Sequence, residues 1–298
     1  MQPNATIYKR KGPLLVFLVP AFAFMSVFLY YPFFMNIINS AQKISGLGTS
    51  AEGINDPWFK NYLAMFSDAK LATAFGNTLL MMLVTVVVEV GLALVLALLV
   101  DNLRKGVQFF RTVYFFPIVI SATALGLLFN LIFMYNGGML NNLLEGIGII
   151  DAAIDWKDEQ HYLFTMMAPV VWQYIGFYFV IIATGLNNIS PDLYEACSID
   201  GASPLQRVFK ITLPLLHNTL CICMTLAITG ALKVFDLPWI MMGQGIPMDR
   251  SWLLGTYMYH TTFNVGDVDY GSALAVVIVV VGVVVSQVAN AIFKEKDY

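Results

Sequence analysis

The sequence predicts an all-α, polytopic membrane protein with six transmembrane helices and a short amphipathic helix on the cytoplasmic side between spans four and five. Three observations predict it. Of 298 residues, 58% are hydrophobic and only 12% are charged, whereas soluble domains keep roughly a quarter of their residues charged. The apolar residues fall in blocks long enough to cross a hydrocarbon core of about 30 Å, which takes roughly 20 residues of helix. Lysine and arginine are divided unevenly among the connecting loops, and that division sets the orientation.

The first block is Leu14–Phe34, followed by Ala72–Val100 and Thr112–Tyr135. Leu163–Leu186, Leu213–Phe235 and Ser272–Phe293 complete the set. The first has a basic leader but no small-residue cleavage site after it, so it reads as a span rather than a cleaved signal. One such block alone would fit a buried helix of a large soluble protein; six in a chain of this length do not. An N-in arrangement puts Lys9, Arg10, Lys11, Arg104, Lys105, Arg111, Arg207, Lys210, Lys294 and Lys296 on the cytoplasmic side. Only Lys43, Lys60, Lys70, Lys157 and Arg250 fall outside, with Lys233 near a membrane edge. Both termini are therefore expected in the cytoplasm. One outer loop carries Asp151, Asp155, Asp158 and Glu159, but acidic residues weigh little in this rule.

Several chemistries are absent from the sequence. The three cysteines give no disulfide framework: Cys221 and Cys223 lie in the fifth span, and Cys197 would face a reducing compartment. His161, His217 and His260 are isolated, with no zinc-ligand spacing; His217, inside a span, lines a polar path or is simply packed there. No GxxxxGK[ST] phosphate loop occurs, which excludes ATP hydrolysis by that route. Glu89 is the one clear carboxylate deep in a span. Such a group is expensive in lipid, so it should face protein or water, as a functional group or as a partner for a neighbouring helix.

The stretch Tyr194 to Leu216 mixes Glu195, Asp200, Arg207 and Lys210 with apolar residues at helical spacing. Ser190 and Pro191 suit a helix start, and Asp192 and Glu195 favour the positive end of its dipole. Leu193, Ala196, Cys197, Ile199 and Ala202 form one partly apolar face, while Gly201 and Ala202 remove bulk. Ser203-Pro204 opens a second short turn, and Pro214 marks entry to the membrane. A helix resting on headgroups would explain the amphipathicity. A docking element for a soluble partner also explains the small residues and the mixed charge.

At these residues the chain resembles the EAA loop of binding-protein-dependent ABC importer permeases, a pattern of E-A-A, three residues, G, nine residues and I-x-L-P. Glu195, Ala196 and Cys197 stand at its first three positions, Gly201 at the glycine, and Ile211, Leu213 and Pro214 at its end. The longer carbohydrate-importer form is met by LYEACSIDGA, with Cys197 in place of the usual second alanine. The opening GPLLVFLVPAFAFMSVFLYYPFF, the FGNTL before span two, VFDLPWIMMGQG after span five and YMYHTTFNVGDVDYGSALAV into span six extend the resemblance. They are similar to the maltose-permease F-type subunit in a compact six-span form.

The resemblance implies the type I ABC importer permease fold: one transmembrane domain over 1–298 with its core at about 72–293, preceded in 1–71 by a tail, the first span and an outer loop. It implies a non-catalytic subunit that binds no cofactor, ATP and Mg2+ belonging to a partner ATPase. The implied partners are a second homologous permease subunit in a heterodimer, two copies of an ATP-binding subunit and an extracytoplasmic solute-binding protein. Lipid is the remaining partner, with no role for nucleic acid, and the location is a bacterial or archaeal cytoplasmic membrane. Glu195, Ala196, Cys197, Asp200, Gly201, Ala202, Arg207 and Pro214 would couple to the ATPase. Asn130, Tyr135, Trp172, Gln173, Tyr174 and Tyr178 are candidates for a sugar path, because aromatic rings suit sugar faces and amides suit hydroxyls. The solute is expected to be a di- or oligosaccharide, with a polyol or glycerol phosphate as the runner-up. An ion-coupled secondary transporter is the alternative of another class, but repeated broken helices or more buried charges are not evident. A structural membrane protein would leave Glu89, Asn130 and Gln173 without a shared purpose.

The orientation is testable. Cysteines introduced near residue 155 should react with an impermeant maleimide from outside, and those near residue 106 only from inside. The opposite pattern would sink the six-span, N-in arrangement.

Overall fold

The computed structural model describes residues 11–101 and 106–293. Lys9, Arg10, Arg104, Lys105, Lys294 and Lys296, which weighed in the orientation, lie outside the described residues, as does the side chain of Lys11. The described chain is almost entirely helical and divides into two compact units.

The first unit takes the described part of Met1–Ser67 together with Thr261–Val277. Its long helix α1, Leu15–Ser40, has none of its apolar window buried, the exposure expected where hydrocarbon is the solvent. A small antiparallel hairpin of β1 (Gln42–Lys43) and β2 (Gly53–Ile54) follows, then the short α2, Lys60–Ala64. Buried amides hold the end of α1 in place. Asn61 Nδ2 donates to the carbonyl of Ser40 at 3.1 Å and to Asp269 Oδ2 at 3.1 Å. The Ser40 and Tyr62 hydroxyls lie 2.8 Å apart.

The second unit, Asp68–His260 with the chain from Ile278 onward, carries the remaining spans. Helix α3, Ala69–Asp101, starts at an Asp68 cap and contains a π-bulge at Thr85–Glu89. Helices α4 (Val107–Val119) and α5 (Ala122–Ile132) meet at 95°. A short α6, Met139–Gly146, leads through a loop to α7, Tyr162–Asn187. Then come α8 (Pro191–Ile199), α9 (Pro204–Leu215) and α10 (His217–Ala231), the last two bent by 68°. Helices α11 (Asp236–Met242) and α12 (Leu254–Tyr259) precede α13, Val268–Ile292.

Two of the six expected spans are thus not straight helices. The block Thr112–Tyr135 breaks after Val119: Ile120 is extended, and Ser121 restarts the chain by accepting the Ala124 N–H at 3.2 Å. Pro117 has no N–H to give the ladder just before that point. The fifth block breaks at Leu216, two residues after Pro214, so this proline bends a helix already begun at Pro204 rather than opening one. Among the described residues, four helices are long and apolar enough to cross a bilayer on their own, and counting each bent pair as one crossing gives six.

Helix α7 is the hub, with 61% of its most apolar window buried. Val90, Ala93 and Ala97 of α3 pack with Phe179, Ile182 and Ala183 of α7, and Cys223 and Ala227 of α10 join them. Small residues let helices approach closely where no water drives them together. The tightest approach is at Gly176, where an added Cβ would lie 1.7 Å from the backbone oxygen of Tyr114 on α4. The Tyr114 and Phe179 rings meet edge to face at 5.2 Å beside it. The FGNTL motif also finds a purpose. Asn77 Nδ2 donates to the carbonyls of Arg250 and Trp252 at 2.6 and 2.9 Å, and Thr78 Oγ1 accepts the Leu254 N–H at 3.1 Å. Together they satisfy irregular backbone that would otherwise be costly to bury.

Gly176→Ala is expected to cost about 1–3 kcal/mol by forcing α7 and α4 apart, read as a lower thermal midpoint in detergent. Gly91→Ala, where an added Cβ meets nothing within 4 Å, is the control and should leave the midpoint in place. Equal midpoints for both variants would rule out this helix contact.

Candidate functional site

A π-bulge opens the site. The Val90 N–H bonds to the Thr85 carbonyl, five residues back, so one extra residue fits into the turn, as is frequent at functional positions. The Thr85 hydroxyl donates to the Met82 carbonyl at 3.0 Å and reaches the Ala227 carbonyl of α10 at 3.4 Å. Glu89, at the end of the bulge, is only 2% exposed, and its Oε1 has no hydrogen-bond partner.

That carboxyl lines a cavity of about 220 Å³ between α3, α7 and α10. Tyr174 and Tyr178, one turn apart on α7, form one wall; Gly230 and Lys233, at the end of α10, form another. A smaller cavity of about 60 Å³ shares Tyr174 and Lys233 with it and adds Gln173 and Asp236. Of the residues singled out in the sequence, Tyr174 and Tyr178 share the larger cavity with Glu89 and Lys233, and Gln173 lines the smaller one with Tyr174 and Lys233. Asp236, Thr85 and Gly230 were not singled out in advance. A threonine or glycine in a span is too common for its position to signal a cavity.

Asn130, Tyr135 and Trp172 do not line these cavities. Trp172 turns to α5, its ring edge-on to Phe129 at 5.6 Å, and Tyr135 sits half exposed in the turn after α5. Asn130 is occupied by Lys157, whose Nζ donates to its Oδ1 at 2.6 Å and to the Met241 carbonyl at 2.8 Å. Burial holds the pKa of Lys157 below the usual lysine value, partly offset by Asp155. The loop before α7, α5 and the end of α11 are thus tied by one ammonium group. Lys157 had no signal beyond its loop position.

The segment from Ser190 to Leu216 is built from end-caps. Ser190 Oγ accepts the Asp192 N–H at 3.3 Å, and Pro191 takes the first helical position of α8. At the other end Gly201 adopts φ +73°. The Ala202 N–H reaches the Cys197 carbonyl at 3.0 Å and the Gly201 N–H reaches that of Ser198 at 3.3 Å, the Schellman pattern. Gly201 is thus required by the turn itself, besides leaving open space around it. Ser203 and Gln206 form a capping box at α9. The Arg207 guanidinium stands 5.4 Å above the Tyr194 ring, and the Tyr194 hydroxyl lies 3.3 Å from Thr212 Oγ1. Glu195, Ala196, Asp200 and Pro214 are exposed, Cys197, Ala202 and Arg207 half-buried, and Ile199 and Leu205 are 87% and 71% exposed. The capped helix thus presents apolar side chains outward.

Elsewhere, among the described residues, no three His, Cys, Asp or Glu side chains come together to hold a metal ion. None of Cys197, Cys221 and Cys223 is in a disulfide, and Cys221 Sγ lies 3.5 Å from His217 Nε2 one turn earlier on α10.

Residues 89–296 match the family described as binding-protein-dependent transport system inner membrane component. The probable ABC transporter permease protein YurN of Bacillus subtilis (strain 168) is 33% identical over 282 residues, covering 94% of this chain and 95% of that protein. The sulfoquinovosyl glycerol transport system permease protein SmoG of Agrobacterium fabrum (strain C58) is 33% identical over 283 residues, 94% of this chain and 90% of its own. The fold is shared with a solved bacterial ABC transporter involved in the import of the acidic polysaccharide alginate. The TM-score is 0.83 at 22% identity, over 96% of each chain.

Gly230 offers a way to fill the cavity without moving its walls, since an added Cβ there meets nothing within 4 Å. Gly230→Phe is expected to keep the wild-type thermal midpoint while solute uptake by the assembled protein in vesicles falls at least about tenfold. Uptake at the wild-type rate would show that the cavity is off the solute path.

Proposed function

Because this chain belongs to the family of binding-protein-dependent transport system inner membrane components, we propose that it is the permease subunit through which an ATP-driven importer passes a di- or oligosaccharide to the cytoplasm. The observation that carries the reading is a continuity of helices. Helix α7 walls the cavity and leads through Ser190 into the exposed α8, and α9 leads back into α10, which forms the facing wall. A force applied to the exposed segment therefore reaches both walls. Tyr174, Tyr178 and Gln173 supply ring faces and an amide, a surface suited to sugars.

In this reading two ATP-binding subunits grip Glu195 through Gly201, with Arg207 bracing the helix from above Tyr194. ATP-driven closure tilts α7 and α10 and exchanges the side from which the cavity is open. No bond is made or broken in this chain; its task is to occupy two geometries whose balance its partners shift. A second permease subunit completes the path, and an extracytoplasmic binding protein delivers the solute. Both termini lie in the cytoplasm of a bacterial or archaeal cell, and 1–298 forms one transmembrane domain with its core at about 72–293.

The test is the ATPase activity of the reconstituted complex, with its binding protein, against maltose, lactose, raffinose and glycerol 3-phosphate. Stimulation by a saccharide is expected; stimulation by glycerol 3-phosphate alone would overturn the sugar reading. Three variants examine the docking helix. Glu195→Lys and Gly201→Trp are expected to reach the membrane at wild-type abundance yet lose most co-purifying ATPase, with Gly201→Ala losing less. Wild-type recovery of the ATPase in Glu195→Lys and Gly201→Trp would remove α8 from the interface. Equal loss in the two glycine variants would trace the effect to the strained turn and not to docking.

A further inference from the structure

The carboxyl of Glu89 is a buried group that the proposed function leaves without a task. It is 2% exposed in a span, where an unsatisfied polar atom is among the costlier features a helix can carry. A carboxyl kept for structure would bind its neighbours through both oxygens, yet Oε1 has no partner. None of the polar side chains that share its cavity, Thr85, Tyr174, Tyr178 and Lys233, hydrogen-bonds this oxygen. The Thr85 hydroxyl serves backbone carbonyls, and Lys233, though on the same cavity, makes no ion pair with Glu89 among the described residues. The carboxyl faces an open volume instead, bounded by two tyrosines and by Ala227 and Gly230, whose small side chains leave the space clear.

We propose that Glu89 is a solute-reading group, whose carboxyl exchanges a hydrogen bond with a hydroxyl of a saccharide held between α3, α7 and α10. The inference rests on the importer reading and assigns its solute a contact. A solute hydroxyl supplies the partner that the protein withholds, while the Tyr174 ring offers the flat apolar surface a sugar face requires. The solute then completes the hydrogen bonding of the site, and a site with a group left unpaired discriminates strongly against ligands that cannot pair it.

The experiment uses the assembled complex in proteoliposomes, with its binding protein and the saccharide that stimulates it most. Glu89→Gln is expected to raise the KM for uptake at least about tenfold with a smaller change in kcat, the pattern of lost binding common to ground and transition states. Dicyclohexylcarbodiimide, an apolar carboxyl reagent, gives a second measurement on the unaltered protein. Its modification of Glu89, read by peptide mass spectrometry, should slow several-fold when saccharide and binding protein are present. A wild-type KM in Glu89→Gln, or modification indifferent to saccharide, overturns the role of Glu89 and leaves the importer reading standing. Failure of all saccharides to stimulate the wild-type complex sinks the sugar reading and this inference together.

Discussion

Gly176 and the Tyr114 carbonyl set the terms for the larger unit. With no room for even a methyl group between α7 and α4, the two backbones are fixed at contact distance, and every side chain on α7 takes its position from that contact. In lipid, helices gain little from hiding apolar surface, so association depends on how closely their atoms can pack. Ala93 and Ala97 on α3 and Ala227 on α10 extend the same solution around the other faces of α7. A rigid hub results, with Tyr174 and Tyr178 aimed at the cavity because the face bearing Gly176 and Phe179 is already committed to α4 and α3.

A close-packed hub makes the exception more informative. The π-bulge in α3 interrupts the regular ladder at the level of the cavity, and Glu89 closes it. A regular helix through this region would be simpler to bury. The extra residue and the acidic side chain coincide at one turn, beside a glycine on the facing helix whose missing side chain leaves space open. Packing is dense where α7 meets α4 and relaxed around the cavity that Glu89 lines.

The exposed segment follows another economy. Its caps are local: Ser190, Ser203 with Gln206, and Gly201 each satisfy backbone groups within a few residues. A helix so self-contained holds its shape by its own hydrogen bonds, and Ile199 and Leu205 stay exposed. Arg207 over Tyr194 ties the two short helices to each other. The chain runs on from them into α7 on one side and α10 on the other, the two helices that wall the cavity.

The sequence by itself determined the class, the number of apolar blocks and the outline of the exposed segment, because these depend on local terms. Hydrocarbon selects long apolar runs residue by residue, and caps such as Ser190, Gly201 and Ser203 act within a turn. Gln173, Tyr174 and Tyr178 were legible for a related reason: polar and aromatic groups stand out in a span. Tertiary structure decided what those groups touch. Asn130 read as a path residue until Lys157, far along the chain, took its oxygen, and Trp172, next to Gln173, turned towards Phe129 instead. The bends after Val119 and at Leu216 were also hidden, since apolar content continues across both while the hydrogen-bond ladder does not. Hydropathy counts what a residue avoids; only the packed fold sets which partner, or which empty space, it meets.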